Sequence, residues 1–257
     1  MFSYSAYRRW RRRRMRRRLA LLLAALTVAA IATQHLAPSH PASQGPSRMP
    51  TRPAAHQAGT RPRRHPASHP GAKQTAAKPT LTWEDFHGIQ LPVSAQAGPR
   101  HQHNGLARGF ADTPLGAVLA AVNIVVRTAA QWGPPIYRPT ITHQVTSPGA
   151  TALMAADNSD YAALRATAHV PPGQPAGRGY AVEAAYRLTA YTPHAATVDI
   201  VTEGPASNNT TITAVTRIQV VWRHGDWRVL APPGGTWVSS AATSSVLRGY
   251  TAFPNER

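Results

Sequence analysis

The 257-residue chain contains no cysteine, which rules out disulfide bridges, thiolate metal sites and lipid attached to a cysteine, and leaves thiol content silent on redox compartment. Acid is scarce and confined: all ten Asp and Glu lie at or after Glu84. The 28 Lys and Arg are spread differently, nine within residues 8–18, seven between Arg48 and Lys78, and twelve from Arg100 onward. The formal net charge of +18 therefore resolves into +16 before residue 81 and +2 after it. That division excludes the simplest meaning of an isoelectric point near 11.6, a basic nucleic-acid-binding domain with its cations spread over a folded face. The carboxy-terminal part is nearly neutral.

Long apolar runs are also missing, with one exception. From Leu19 to Ala32 every residue but Thr27 is apolar, and no Lys, Arg, Asp or Glu occurs between Arg18 and Arg48. A helix over Leu19–Ala37 spans roughly 28 Å at about 1.5 Å per residue, against a hydrocarbon core of about 30 Å. Arg11, Arg12, Arg13, Arg14, Arg16, Arg17 and Arg18 precede it. They hold its near end in the cytoplasm and bind anionic lipid, each for about 1 kcal/mol near the surface. The reading is a cytoplasmic Arg-rich tail (1–18), a single transmembrane helix in the lipid bilayer (19–37), and a carboxy-terminal domain outside the cell. A cleaved signal peptide competes with it, since Ala30-Ile31-Ala32 fits an A-x-A cleavage site; both readings export the same domain. The adjacent arginines lack the usual continuation of a twin-arginine signal. A cytoplasmic protein gripping DNA with its arginine tail is a third reading, opposed by the uninterrupted apolar segment.

Residues 38–80 lack acid and nearly all large apolar side chains, and hold nine prolines. Such a stretch buries too little to offset its ordering entropy and reads as a disordered spacer, reaching about 130 Å as polyproline II or about 36 Å as a random coil. His40, His56, His65 and His69 are irregularly spaced in it and read as solvated rather than metal-binding.

Order is expected from residue 81, where Trp83, Phe86, Ile89 and Leu91 supply the first apolar cluster. Residues 94–107 read as a loop. In GFADTPLGAVLAAVNIVVRTAAQWGPP, Asp112 or Thr113 caps a helix whose first turn takes Pro114 and which Gly133-Pro134-Pro135 stops. Leu115, Val118, Leu119, Val122, Val125 and Val126 recur at three- and four-residue spacing, the period of a buried helix face. A second helical region spans roughly residues 147–168, with a break at Asp157-Asn158-Ser159-Asp160. The period then changes to two. GYAVEAAYRLTAYT sets Val182, Ala184, Tyr186, Leu188 and Ala190 on one side and Glu183, Arg187, Thr189 and Tyr191 on the other, as in a half-buried strand. ATVDIVTEG and TTITAVTRIQVVW alternate likewise, and His224-Gly225-Asp226 joins the last pair in a hairpin. Helices first and an antiparallel meander afterwards indicate α+β, with helices packed on one face of the sheet.

This order resembles the cone-shaped fold shared by nuclear transport factor two and ketosteroid isomerase, and GDWRVL resembles the closing hairpin of many such domains. With the arginine-flanked segment, the spacer, WEDFHGIQLPVSAQAGP and GFADTPLGAVLAA, residues 8 to about 240 resemble membrane-anchored proteins of actinobacterial integrative conjugative elements. Their domains are similar to the bitopic scaffold subunit of type IV secretion channels and its Gram-positive conjugation counterpart, which commonly has two such domains in tandem where this chain has one. The resemblance implies a curved antiparallel sheet and a non-catalytic, membrane-anchored assembly protein of a conjugative complex. Its implied partners are other subunits of that complex and further copies of itself, with no direct nucleic-acid contact. The alternative is a secreted small-molecule-binding or enzymatic cone domain with a cleaved amino terminus and an acid or histidine facing inward.

Little in the sequence announces chemistry. By alternation Glu183, Asp199 and Glu203 share the polar face with Arg187, Arg217 and Arg223, where cross-strand ion pairs are the ordinary role. No pair of groups with environments that drive their pKa values apart is legible. His101-Gln102-His103 puts two imidazoles on one side if extended, but no third ligand is near in sequence. The glycine-rich turns at 172–179 lack the strand, helix and lysine of a phosphate loop, and Asn208-Asn209-Thr210 reads as a turn. Tyr186 and Trp222 are the candidate cavity-lining residues, with core packing as the competing role. No catalytic residue, cofactor or metal is expected.

Overall fold

The first apolar cluster closes a β-hairpin. In the computed structural model, which describes residues 80–146, 148–206 and 210–254, β1 (Thr82–Phe86) pairs antiparallel with β2 (Ile89–Val93). Ile89 and Leu91 are buried at alternate positions, and Trp83 and Phe86 pack against the same core. The stretch expected as a loop contains a second hairpin, β3 (His101–His103) and β4 (Leu106–Arg108). Its turn residues Asn104 and Gly105 both have positive φ, 49° and 77°, as a two-residue hairpin connection requires. Three-residue strands are too short for alternation to register; the Asn-Gly pair was the available signal.

Helix α1 (Pro114–Thr128) begins as its sequence indicates. Thr113 rather than Asp112 is the cap, its hydroxyl oxygen accepting from the Gly116 amide at 3.1 Å. The helix is buried along most of its length. After a 3-10 turn at Ala130–Trp132, the Gly-Pro-Pro that ends this region also starts another helix, α2 (Pro134–Gln144). Proline is tolerated in the first turn, where its missing N–H has no intrahelical partner; read only as a breaker, it conceals α2. The expected break at 157–160 is also absent, for α3 (Ala150–Ala168) is one helix. There the Asn158 side-chain oxygen accepts from the Tyr137 hydroxyl at 2.8 Å and from the Arg138 guanidinium at 2.8 and 3.1 Å. A side chain held by such tertiary partners is not free to compete for its own backbone.

The main sheet contains β5 (Val145–Thr146), β6 (Val182–Thr192), β7 (Ala195–Pro205), β8 (Thr211–Arg223), β9 (Asp226–Leu230), β10 (Ala241–Thr243) and β11 (Thr251–Ala252). Its order is β11-β6-β7-β8-β9-β5, with β10 beside β8. All pairs are antiparallel except β5 with β9. Helix α1 packs over β6 to β9, burying Leu119 and Val122 with Val198, Ile200, Ile218 and Val220. On the opposite face Asp199 and Val201 are buried too. Because β10 lies beside β8 and β11 beside β6, residues 244–250 cross the sheet there, and the Tyr250 ring lies 4.4 Å from the Arg187 guanidinium carbon.

The architecture is mixed α+β: a large sheet, three helices and two small hairpins among the described residues. Arg11–Arg18, the apolar segment 19–37 and the Pro-rich stretch up to residue 79 lie outside them. Among the described residues no helix is long and apolar enough to cross a membrane.

Candidate functional site

The site begins with an irregularity in β6. Its register with β7 pairs Glu183 with Thr202, then Ala185 with Val201 and Tyr186 with Ile200. Ala184 is therefore an extra residue, a β-bulge. Ile200 and Thr202 are two apart in a strand and share a face, so Glu183 lies on the same face as Tyr186, under α1. This corrects the alternation reading, which put Glu183 outside with Arg187. One inserted residue reverses the parity of everything before it. A second bulge at Thr189 brings Tyr191 opposite Ala196 and its ring 6.2 Å from Trp227. Asp199 stays on the outer face with its expected partners, Arg187 at 2.8 Å and Arg217 at 2.7 Å.

Between α1, α3 and the sheet lies a cavity of about 520 Å³. Its walls are largely aliphatic: Val122, Val125, Leu153, Leu164, Ile200 and Ile218. Residues 235–238, held by a 3.0 Å hydrogen bond from the Trp237 indole nitrogen to the Thr128 hydroxyl, close another side. Three acids line this space, of which Asp160 is exposed and two are buried. Glu183 is 4 % exposed and accepts from the Thr202 hydroxyl at 3.0 Å. Asp157 is 9 % exposed, and its Oδ2 has no hydrogen-bond partner. No Lys, Arg or His lines the cavity.

This environment sets the protonation states. Burial pushes the Asp157 carboxyl up to about 8, and the negative charge of Asp160 adds to the effect. Burial pushes Glu183 up to about 7, opposed by the Thr202 hydrogen bond. Near neutrality both carboxyls carry protons for much of the time, and a protonated acid donates a hydrogen bond, which a carboxylate cannot do. The arrangement suits an uncharged guest in a mainly apolar chamber, where the two acids add to the polar side chains of Gln131, Tyr180, Thr216 and Thr236 that also line it.

Tyr186 and Trp222 lie elsewhere. Tyr186 is on the inner face, but the Phe253 ring covers it at 4.8 Å, and Trp222 meets Trp227 edge-on at 5.3 Å. Neither lines the cavity. His101, Gln102 and His103 are all exposed on β3, and the Gln102 side-chain oxygen accepts from Arg127 at 2.5 Å. The buried Arg127 guanidinium also donates to Asn123 and lies 4.4 Å from the centre of the Phe86 ring. That is a tie between hairpins and helix. No group of three or more His, Asp or Glu suited to a metal occurs among the described residues. An open depression at the β8–β9 turn is lined by Arg223, His224 and Arg228 with Val145 and Thr146; it contains no acid and no enclosed space.

One of the missed residues left a trace in the sequence. Leu153, Asp157 and Tyr161, the buried residues of α3, are spaced by four, which puts Asp157 on the inward stripe of a continuous helix. Nothing in Val182-Glu183-Ala184-Ala185 marks the bulge.

No curated protein and no solved structure matches the chain. A family model described as a domain of unknown function, DUF8175, matches residues 40–252. The match takes in most of the Pro-rich stretch as well as every strand and helix of the described body. The chain belongs to the DUF8175 family.

Proposed function

We propose that the domain is a cone-class module of the nuclear transport factor two kind whose chamber holds a small apolar molecule outside the membrane to which residues 19–37 anchor it. The observation that carries this reading is the aliphatic chamber with two inward acids. An inward acid is what the ligand-binding alternative requires, and a cavity of this size falls within the range of pockets that enclose a small molecule. Binding alone is assigned, without a reaction. A scaffold role in a conjugative, type IV secretion-like complex is the second reading. It draws on the family unit beginning at residue 40, so that spacer and domain travel together, as suits a domain set off from a bilayer. The two readings are compatible, since a ligand-filled body can also bind other subunits.

The test uses the full-length chain in lipid nanodiscs and equilibrium dialysis of ethylnaphthalene, an apolar probe, with empty discs as the reference. Saturable uptake near one probe per chain is expected, and it is lost in Ala214→Phe, which fills the chamber from the sheet side. Uptake equal to that of empty discs sinks the binding reading.

A further inference from the structure

We propose that the depression beside the β8–β9 turn is a binding site for the terminal phosphate group of a soluble phosphate monoester, held by Arg223, Arg228, His224 and Thr146. It shares no residue with the chamber and does not depend on it.

Strand register brings these groups together. Arg228 lies opposite Val221 of β8, and Thr146 of β5 lies opposite Leu230. Residues two apart in a strand share a face, so Arg223, Arg228 and Thr146 all stand on the outer face, the one that also carries Arg217. Arg223 and Arg228 are diagonal neighbours across the ladder, about 7–8 Å apart at the backbone and within reach of each other's long side chains. His224 and Gly225 both have positive φ, 54° and 76°, and the tight turn they form adds the His224 imidazole to the rim. All four side chains line the same open depression.

Like charges placed side by side across strands are destabilising unless acids separate them. Farther along the same face that condition is met, where Arg187 and Arg217 share the buried Asp199 at 2.8 and 2.7 Å. Arg223 and Arg228 make no ion pair or hydrogen bond among the described residues. The acid opposite Arg223 in the ladder, Asp226, is engaged elsewhere. Its oxygens accept from the Gly109, Phe110 and Trp227 amides at 2.9, 3.0 and 3.0 Å. The Arg228 Nε is enclosed and unpartnered, whereas its two terminal nitrogens are not enclosed and are free to donate. The depression therefore offers two guanidinium forks, an imidazole and a hydroxyl, with no carboxylate among the residues that line it.

This set of donors selects the ligand. A carboxylate or a phosphodiester presents two terminal oxygens, whereas a phosphate monoester presents three and carries nearly two negative charges at neutral pH. Two arginine forks with a hydroxyl beside them match the monoester. A soluble molecule fits better than a lipid headgroup, because a surface that docks on a bilayer sets apolar side chains among its cations. The exposed large apolar residues of the described body, Val182 and Val246, do not line the depression.

Sixteen Lys and Arg precede residue 81 and attract any anion, so the test is resolved residue by residue. The full-length chain in phosphatidylcholine nanodiscs is treated with phenylglyoxal, which modifies arginine. Each arginine-bearing peptide is then quantified by mass spectrometry in glycerol 2-phosphate, dimethyl phosphate or acetate at one ionic strength. Glycerol 2-phosphate is expected to slow modification of Arg223 and Arg228 about five-fold with half-protection near about 1 mM, the affinity of a small open site, while Arg11–Arg18 are hardly slowed. In Arg228→Gln the protection of Arg223 is lost, and the thermal midpoint is not lowered because an unneutralised charge has been removed. Arg223→Gln, read at Arg228, repeats the test from the other side. Equal slowing of the turn and amino-terminal arginines overturns the inference, as does equal protection by acetate or dimethyl phosphate, or protection of Arg223 that survives Arg228→Gln. Protection that needs phosphatidylglycerol in the discs and no glycerol phosphate also overturns it, in favour of a lipid surface.

Discussion

Asp157 and Glu183 tie the stability of the fold to pH in the neutral range. Burial raises both carboxyls in the folded state, to about 8 and about 7, whereas the unfolded chain releases these protons near 4. The folded protein therefore holds protons that the unfolded one has lost. Their contribution is complete below about pH 4 and disappears as pH rises through 7 and 8. Asp199 has the opposite sign. Burial alone would raise it, but hydrogen bonds from Arg217 and Arg187 outweigh that and hold it below the ordinary carboxylate range. Its contribution is present at neutral pH and is lost as pH falls through that lowered range. Asp157→Asn and Glu183→Gln are expected to change stability least near pH 4 and to raise it progressively above that, by about 3 kcal/mol or more at pH 9. Urea midpoints of the variants and the parent at about pH 4 and about pH 9 measure this. A parent midpoint that stays flat across the range would show that neither acid is buried.

At the scale of elements, the opening of α1 illustrates how neighbours override propensity. Alanine is normally favoured over glycine inside a helix by about 1 kcal/mol. A Cβ on Gly116, however, would stand 2.0 Å from the Ala111 carbonyl oxygen. That loop has no freedom to retreat. The Asp226 carboxylate accepts from the Gly109 and Phe110 amides at 2.9 and 3.0 Å, and the Trp227 indole donates to the Ala111 carbonyl at 2.9 Å. Gly116→Ala is expected to lower stability by about 2 kcal/mol or more, read as a lower thermal midpoint; a raised midpoint would falsify the close approach. Elements with a strong local signal were legible: α1 from its three-four spacing and cap, β7 and β8 from alternation, and the β8–β9 turn from His224-Gly225. Those whose signal is ambiguous were not. Pro134-Pro135 suits a helix start as well as a stop, the polar run at 157–160 breaks a helix only when its side chains lack tertiary partners, and a bulge leaves no mark in composition.

At the scale of the whole molecule, charge divides the chain into a basic amino-terminal part and a nearly neutral remainder, and we propose that a membrane divides it in the same place. The full-length protein is expected to pellet with membranes and to resist extraction at high pH, and protease added to intact protoplasts should remove the domain. Recovery in the soluble fraction, or protection from protease, would place the domain in the cytoplasm and end the anchored reading. What the sequence determined by itself is the division of charge and the α+β class, because charge segregation and helix or strand periods are local properties that survive in one dimension. The chamber was decided only by the tertiary structure. Its wall joins α1, α3, residues of five strands and residues 235–238. Whether Glu183 points into it depends on one unpaired residue in a register that only the partner strand defines. Burial, and the protonation that follows from it, belong to the assembled space and to no segment alone.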